Sequence, residues 1–332
     1  MVLPEKLLQS LENVQGFNRK PFEEVHASDE RVFSVRINPG KYSGTALFPN
    51  MEPVPWTDYG FYLKTRPSYI FDPRLHAGAY YVQEASGMIL EQAFKQLVPL
   101  QQSLKVLDLC AAPGGKSTHI QSLLNDNSIL VSNEVIKSRV VVLEENTIKW
   151  GSYNTIVTNN DPRNFSSLTG FFDVIVMDAP CSGSGLFRRE PELIKEWSPE
   201  NVLLCSKRQE RIIKDILHAL AENGILIYAT CSYSKEENEN IADFLTENYG
   251  LENLPLNIPS QWNIIESIAD KGAKGYRFFP DKIKGEGFYM ACFKKNNAAF
   301  YSNKRRKPAN NKNELNTSTY KETGNYIKLS DN

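Results

Sequence analysis

Two cysteines and an aspartate are the side chains on which chemistry can be built in this chain. Asp178 and Cys181 lie in FFDVIVMDAPCSGSG (171–185), where the apolar run 174–179 ends in a carboxylate and then a thiol. Cys231 follows a second apolar run, GILIYAT (224–230), and opens the segment CSYS. Each run reads as a strand buried on both faces of a parallel sheet. In open α/β sheets ligands sit beyond the carboxyl ends of the strands, so both thiols and Asp178 should face one crevice. Such a group is suited to covalent catalysis, with the thiolate as a soft nucleophile. The bland alternative for any cysteine is inert burial, and Cys205 and Cys292 are read that way.

A second constellation precedes it. The run VLDLCAAPGGKST (106–118) is a strand ending in a turn of small residues before a helix, so that backbone N–H groups can approach a ligand closely. A Walker A loop would need Gly at Cys110, and GxGxxG is absent because Gly114 and Gly115 are adjacent with no third glycine in place, so phosphate cradling is disfavoured. Glu134 ends the next strand and can accept from ribose hydroxyls; Asp161, after the third, can meet an adenine amino group. Each acid alone is equally a loop or cap carboxylate, but together they favour a ribonucleoside. Lys116 either balances a carboxylate on that ligand or simply starts its helix.

Strands at 104–109, 128–132, 155–158, 173–177, 224–229 and 287–293 must position these residues, with helices at 116–124 and 136–150 between them. The alternation predicts a doubly wound parallel sheet. Ser198 as N-cap, Pro199 and Glu200 open a long helix toward Glu222 that Gly224 closes. Ser234 and Glu237 form a capping box for the next helix, whose N-terminus then helps ionise Cys231.

Upstream, residues 3–15 carry Leu3, Leu7, Leu8, Leu11 and Val14 at helical spacing; 31–38 alternates as a half-buried strand; 54–63 is a further strand, and 86–97 a helix burying Ala85, Met88, Ile89 and Phe94. Trp56, Tyr59, Phe61, Tyr62, Tyr69 and Phe71 interleave with Lys64, Arg66 and Arg74, a mixture suited to unpaired bases and phosphates, or else a small domain with aromatic core and solvated charges. Arg188, Arg189 and the run 271–284 are candidate phosphate contacts, with a solvated surface as the alternative. From 297 onward the chain reads as a disordered polar tail, with the basic cluster Lys304, Arg305, Arg306, Lys307. The divisions are thus an α+β RNA-recognition region (1–98), an α/β domain (99–296) and the tail (297–332).

At 332 residues with 41% apolar content the chain can bury a real core, and a net charge of −1, from 38 basic and 39 acidic residues, confines any nucleic-acid contact to local patches. Five cysteines without a CxxC pair and four scattered histidines argue for a reducing compartment, against a disulfide framework and against a metal site. No apolar run approaches a membrane span, and the N-terminus lacks a signal pattern, so a cytoplasmic protein without membrane contact, and a monomer, is expected.

DLCAAPGGK, DAPCSGSG and TCSYS, in this order and spacing, resemble the RNA 5-methylcytosine methyltransferases of the RsmB/NOP2/NSUN family, with the bacterial RsmF (YebU) branch nearest. The likeness runs from about Arg36 to Phe293 and includes SVRINP (34–39), YYVQEASGMIL (80–90) and GEGFYMACF (285–293). It implies a Rossmann-like class I methyltransferase sheet with a small N-terminal RNA-binding domain. It further implies S-adenosyl-L-methionine bound by Cys110, Ala111, Ala112, Pro113, Gly114, Gly115, Lys116, Glu134, Asp161 and Asp178, with Cys231 as nucleophile and Cys181 as second cysteine. Members of that branch carry a further C-terminal RNA-binding module of the PUA kind, and this sequence stops at residue 332 in its polar tail.

For that activity, thiolate addition at carbon 6 of cytosine turns carbon 5 into an enamine that can accept a methyl group. Asp178 is expected to hold the N3 and amino edge, carrying a proton favoured by burial, and Cys181 to assist release. The target cytosine must be unpaired or flipped out. Ribosomal RNA or a ribosomal subunit is the favoured partner; transfer RNA, or a non-catalytic RNA-binding role in ribosome assembly, is the alternative.

Overall fold

The computed structural model describes residues 1–28, 30–42 and 47–296; the basic tail cluster lies outside the described residues. The chain begins with helices α1 (Glu5–Leu11) and α2 (Arg19–Ala27) and a four-stranded antiparallel sheet, β1 (Phe33–Ile37), β2 (Glu52–Pro53), β3 (Gly60–Leu63) and β4 (Tyr80–Val82), in the order β2-β3-β1-β4. Helix α3 (Pro73–His76) precedes β4, and a 3₁₀ turn, Ser86–Ile89, runs into α4 (Leu90–Leu97). The strand expected over 54–63 is split, because residues 54–59 make the turn between β2 and β3. Trp56 there is core, its indole N–H donating to the Ala85 carbonyl at 2.7 Å.

The large sheet is built from β5 (Lys105–Asp108), α5 (Gly115–Leu123), β6 (Ile129–Asn133), α6 (Lys137–Trp150), β7 (Thr155–Thr158), β8 (Phe172–Asp178), α7 (Pro199–Ile216), β9 (Leu220–Thr230), α8 (Glu239–Tyr249), β10 (Glu252–Asn253), β11 (Ile265–Ile268), β12 (Lys274–Phe278) and β13 (Phe288–Lys294). Its order is β11-β12-β13-β9-β8-β5-β6-β7, with β10 also on β13. Strands β5 to β9 are mutually parallel, and the order reverses between β5 and β8. Residues alternate between two cores as the two-residue period requires: Val106, Val174, Val176 and Ile227 on one face, Leu107, Ile175, Met177 and Leu226 on the other.

Three expectations need correction. The last strand, β13, is antiparallel, because it returns from its neighbour β12 without a crossover helix. Strands β10 to β12 escaped sequence reading, being short or broken by Gly275 and charged residues. Helix α7 keeps its Ser198 cap (Asn201 N–H to Oγ, 3.1 Å) but stops at Ile216, since β9 already starts at Leu220; Gly224 lies within that strand.

The first core continues from the small sheet into the large one, joining Val54, Trp56, Tyr62 and Met88 to Val106 and Ile227. A polar clasp reinforces the contact. Arg36, fully buried on β1, donates to the Gln83 side chain at 2.8 Å and to Thr118 Oγ1 on α5 at 2.6 Å, and its guanidinium lies 4.3 Å from the Trp150 ring centre. Asn38 donates to the carbonyls of Gly78 and Trp150.

Candidate active site

At the reversal point, β5 ends in Asp108 and β8 in Asp178, the position beyond the strand ends at which open α/β sheets take their ligands. The turn after β5 is pinned by its carbonyls: Ala112 accepts from Arg139 at 2.6 Å, and Pro113 from Asn146 at 2.8 Å and Tyr81 at 3.2 Å. Gly114 takes φ +108° as the cap of α5, a conformation that L side chains resist, and a Cβ there would meet Leu143 at 3.3 Å. Cys110 sits in this turn, and burial pushes its thiol well up, away from nucleophilic use.

Asp108 went unnoticed as a site residue in the sequence. Ser117 Oγ donates to its Oδ2 at 2.6 Å, while Oδ1 is buried without a partner. Burial, reinforced by the charge of Asp178 and opposed by the Ser117 bond, pushes the Asp108 carboxyl up to about 7. Glu134 is buried too: Oε1 accepts the Ile136 N–H at 2.9 Å, while Oε2 has Arg139 at 3.5 Å but no hydrogen bond. Asp161 takes up a cap role, accepting the Arg163 N–H at 3.1 Å and its Nε at 3.0 Å, which holds the carboxyl below its usual range. Asn133 ties the loops carrying these acids together, donating to the carbonyls of Leu109 and Asn160.

On the other side of the crevice the two cysteines meet. Cys181 Sγ and Cys231 Sγ are 3.1 Å apart. The hydrogen bond to Cys231, followed by burial, pushes the Cys181 thiol well above its ordinary value, which favours its protonated form. Close by, Lys116 Nζ donates to Asp178 Oδ2 at 2.6 Å and lies 5.1 Å from the Phe288 ring centre. Burial opposes the ammonium, but Asp178, Asp108 and Cys231 outweigh it and raise Lys116 above its usual value. Asp178 is therefore partly exposed and ion-paired, not shut into the apolar setting expected to keep it protonated.

Glu237 stitches the two thiol-bearing loops together. Its carboxylate accepts the Ser182 N–H at 2.8 Å and the hydroxyls of Ser182 and Ser232 at 2.6 Å each, with Gln209 at 3.2 Å. Burial raises it, and those donors resist the rise. This replaces the expected capping box: Ser234 makes no side-chain cap bond, Glu237 turns inward, and α8 begins only at Glu239 after a 3₁₀ turn. The cation near Cys231 is therefore Lys116 rather than a helix end. Gly185 completes the suture, its N–H donating to the Cys231 carbonyl at 2.9 Å; a Cβ there would lie 2.5 Å from the Gly287 carbonyl oxygen.

The proposed phosphate contacts divide. Arg188 is buried and structural, donating to the carbonyls of Glu30 (2.6 Å) and Gly285 (3.2 Å), whereas Arg189 is exposed. In 271–284, Lys271, Lys274, Lys282 and Lys284 are ion-paired and Arg277 is buried against Glu239, so the run is chiefly strand and salt bridge. Of the upstream aromatics Trp56 and Tyr62 are core, while Phe71 is 85% exposed. Among the described residues no cluster able to hold a metal is present, and no helix is long and apolar enough to cross a membrane.

Residues 95–294 match the family described as 16S rRNA methyltransferase RsmB/F, and residues 3–85 match the N-terminal domain of 16S rRNA methyltransferase RsmF. The ribosomal RNA small subunit methyltransferase F of Vibrio atlanticus (strain LGP32) is 35% identical, over 88% of this chain and 64% of the relative. That of Serratia proteamaculans (strain 568) is 34% identical, over 80% and 57%. The chain thus spans less than two thirds of the length of these relatives. A methyltransferase homolog protein from Pyrococcus horikoshii superimposes with TM-score 0.69 at 26% identity, over 88% of this chain and all (100%) of that one. NSun6 from the same organism, solved with SFG, shares the fold with TM-score 0.74 at 20% identity, over 88% and 98%.

Proposed function

The chain belongs to the 16S rRNA methyltransferase RsmB/F family, and from that premise we propose that it methylates carbon 5 of an unpaired or flipped-out cytosine in RNA, small-subunit ribosomal RNA being favoured. The reading is carried by the contact between Cys181 and Cys231, 3.1 Å apart beside the Lys116–Asp178 ion pair. A methyl donor with adenine, ribose and a sulfonium suits the opposite wall. Glu134 Oε2, a buried acceptor lacking a hydrogen bond, fits ribose hydroxyls; the 110–116 turn would carry the nucleoside on its backbone, and Asp161 offers its remaining acceptor capacity to an amino group. When bound, S-adenosyl-L-methionine supplies an electrophilic methyl group.

The chain's own residues do the rest. Cys231, as thiolate, adds to carbon 6 of the ring, and the displaced electron pair makes carbon 5 nucleophilic. Lys116 donates to N3, the task sequence reasoning gave to a protonated Asp178, and Asp178 accepts from the exocyclic amine. Once carbon 5 carries the methyl group, its proton must leave. The Cys231 sulfur is by then bonded to carbon, so the largest cause of the raised Cys181 thiol has gone. Cys181 can then pass its proton to water and, as thiolate, take the one on carbon 5; the electrons of the broken carbon–hydrogen bond re-form the C5–C6 double bond and expel the Cys231 thiolate.

The test is transfer of labelled methyl groups into RNA, followed by digestion to nucleosides. RNase-sensitive label in 5-methylcytidine is expected, and Cys231→Ala should lower it at least about 10⁴-fold while the donor still binds. Label in another nucleoside, or full activity without Cys231, overturns the reading.

A further inference from the structure

Away from the thiols, a cavity of about 360 Å³ opens between β1, β4 and the loop following Cys181, within the usual range of roughly 300–1,000 Å³ for ligand pockets. Three exposed arginines line it, Arg31, Arg66 and Arg189, and among the described residues none has a hydrogen-bond or ion-pair partner for its guanidinium. Three glutamates, Glu84, Glu190 and Glu286, share the lining, but none is bonded to these guanidiniums, which leaves the three forks open to a phosphate. Tyr69 lies within electrostatic reach of Arg66 and Arg189, and its hydroxyl is buried without a partner. Glu286, also in the lining and only 7% exposed, has Oε2 buried without a hydrogen bond, with Arg188 at 3.6 Å from Oε1.

The walls lead directly to the reacting groups. Glu84 accepts the Glu286 N–H at 2.9 Å and that of Gly87 at 3.2 Å, and a Cβ on Gly87 would lie 3.8 Å from Lys116 Nζ. On the other side Gly287 donates to the Gly185 carbonyl at 3.0 Å, and Gly185 in turn holds Cys231.

We propose that this cavity is the subsite for a nucleotide flanking the target cytosine, its phosphate on Arg66 and Arg189 and the exocyclic amine of its base on Glu286. The assignment rests on the RNA substrate proposed above. Adenine, cytosine and guanine each offer an exocyclic amine to the orphan oxygen. Uracil offers only N3–H, set between two carbonyls that a carboxylate repels, so uridine is the nucleotide excluded.

The test is calorimetric titration at pH 8 of wild-type protein, its cofactor pocket filled with S-adenosylhomocysteine, using AMP, CMP, GMP and UMP as probes. UMP should bind at least about fivefold more weakly than the others. The double variant Arg66→Ala, Arg189→Ala should weaken all four about tenfold. Glu286→Gln should narrow the gap, because an amide can donate to a uracil carbonyl. Affinities within twofold of wild type in the arginine variant, or equal binding of UMP and AMP by wild type, overturn the subsite. Should Glu286→Gln fail to fold, the arginine variant, altered only at exposed positions, decides alone. Wild-type protein that binds the probes as described but labels no RNA supports the cavity as a nucleotide site and overturns the function; label without the binding pattern does the reverse.

Discussion

At the scale of single residues, the site depends on how one carboxylate holds two loops. Glu237 accepts from both Ser182, beside Cys181, and Ser232, beside Cys231. Removing it leaves those buried donors to find one another, at a cost of about 2 kcal/mol in stability. Because a displacement of an ångström can lower a rate about a hundredfold, Glu237→Ala should reduce kcat by about 10² while the KM for S-adenosyl-L-methionine stays within twofold. Glu237→Gln, which keeps an acceptor, should recover part of the loss. A variant with wild-type kcat would show that the serines hold the loops unaided. Both thiols and Asp178 were legible because each follows an apolar run in a distinctive motif. Glu237 was misread because Ser-x-x-Glu spells a capping box, and only the meeting of two loops far apart in sequence shows where its carboxylate goes. Asp108 hid for a related reason: its buried oxygen is visible only once Ser117 has claimed the other.

At the scale of elements, the five parallel strands were readable to within a few residues, since runs buried on both faces leave an unbroken apolar signature. The antiparallel β10 to β13 region was less so. There Arg277 and Lys274 stand within a strand, and the pairing of Arg277 with Glu239 on α8 makes a charged residue compatible with the interior. The segment before β4 behaved similarly: its aromatics suited either bases or a core, and the structure divides them. Trp56 and Tyr62 pack beneath the sheet, and Phe71 stays in solvent. Arg36 is the plainest case of a residue whose meaning lies in tertiary contact, since in sequence it is a charge on a half-buried strand. In the fold it joins the small sheet to the helix that follows the cofactor turn.

For the whole molecule, burial of ionisable side chains sets the acid response. His119 is buried and neutral, its ring nitrogen 3.1 Å from Glu91, and burial depresses it to about 4. The unfolded imidazole takes a proton below about 6.5 and the folded one only below about 4, so this contribution is complete above 6.5 and lost as pH falls toward 4. It amounts to about 3 kcal/mol. Asp108 and Glu286, both raised to about 7, act in the opposite direction, their destabilising effect growing as pH rises from near 4 to 7. The histidine is therefore best isolated by difference: His119→Gln should lose less stability than wild type between pH 6.5 and 4 in denaturant titrations, and parallel curves would refute the assignment. In the proposed reaction Cys231 bonds to the pyrimidine and Cys181 is needed to release it. The most direct measurement is a denaturing gel of the Cys181→Ala variant incubated with target RNA and S-adenosyl-L-methionine. A slow-migrating protein–RNA band is expected, absent when Cys231→Ala is added. No band from Cys181→Ala under conditions where wild type methylates that RNA, or a band that persists without Cys231, contradicts the claim.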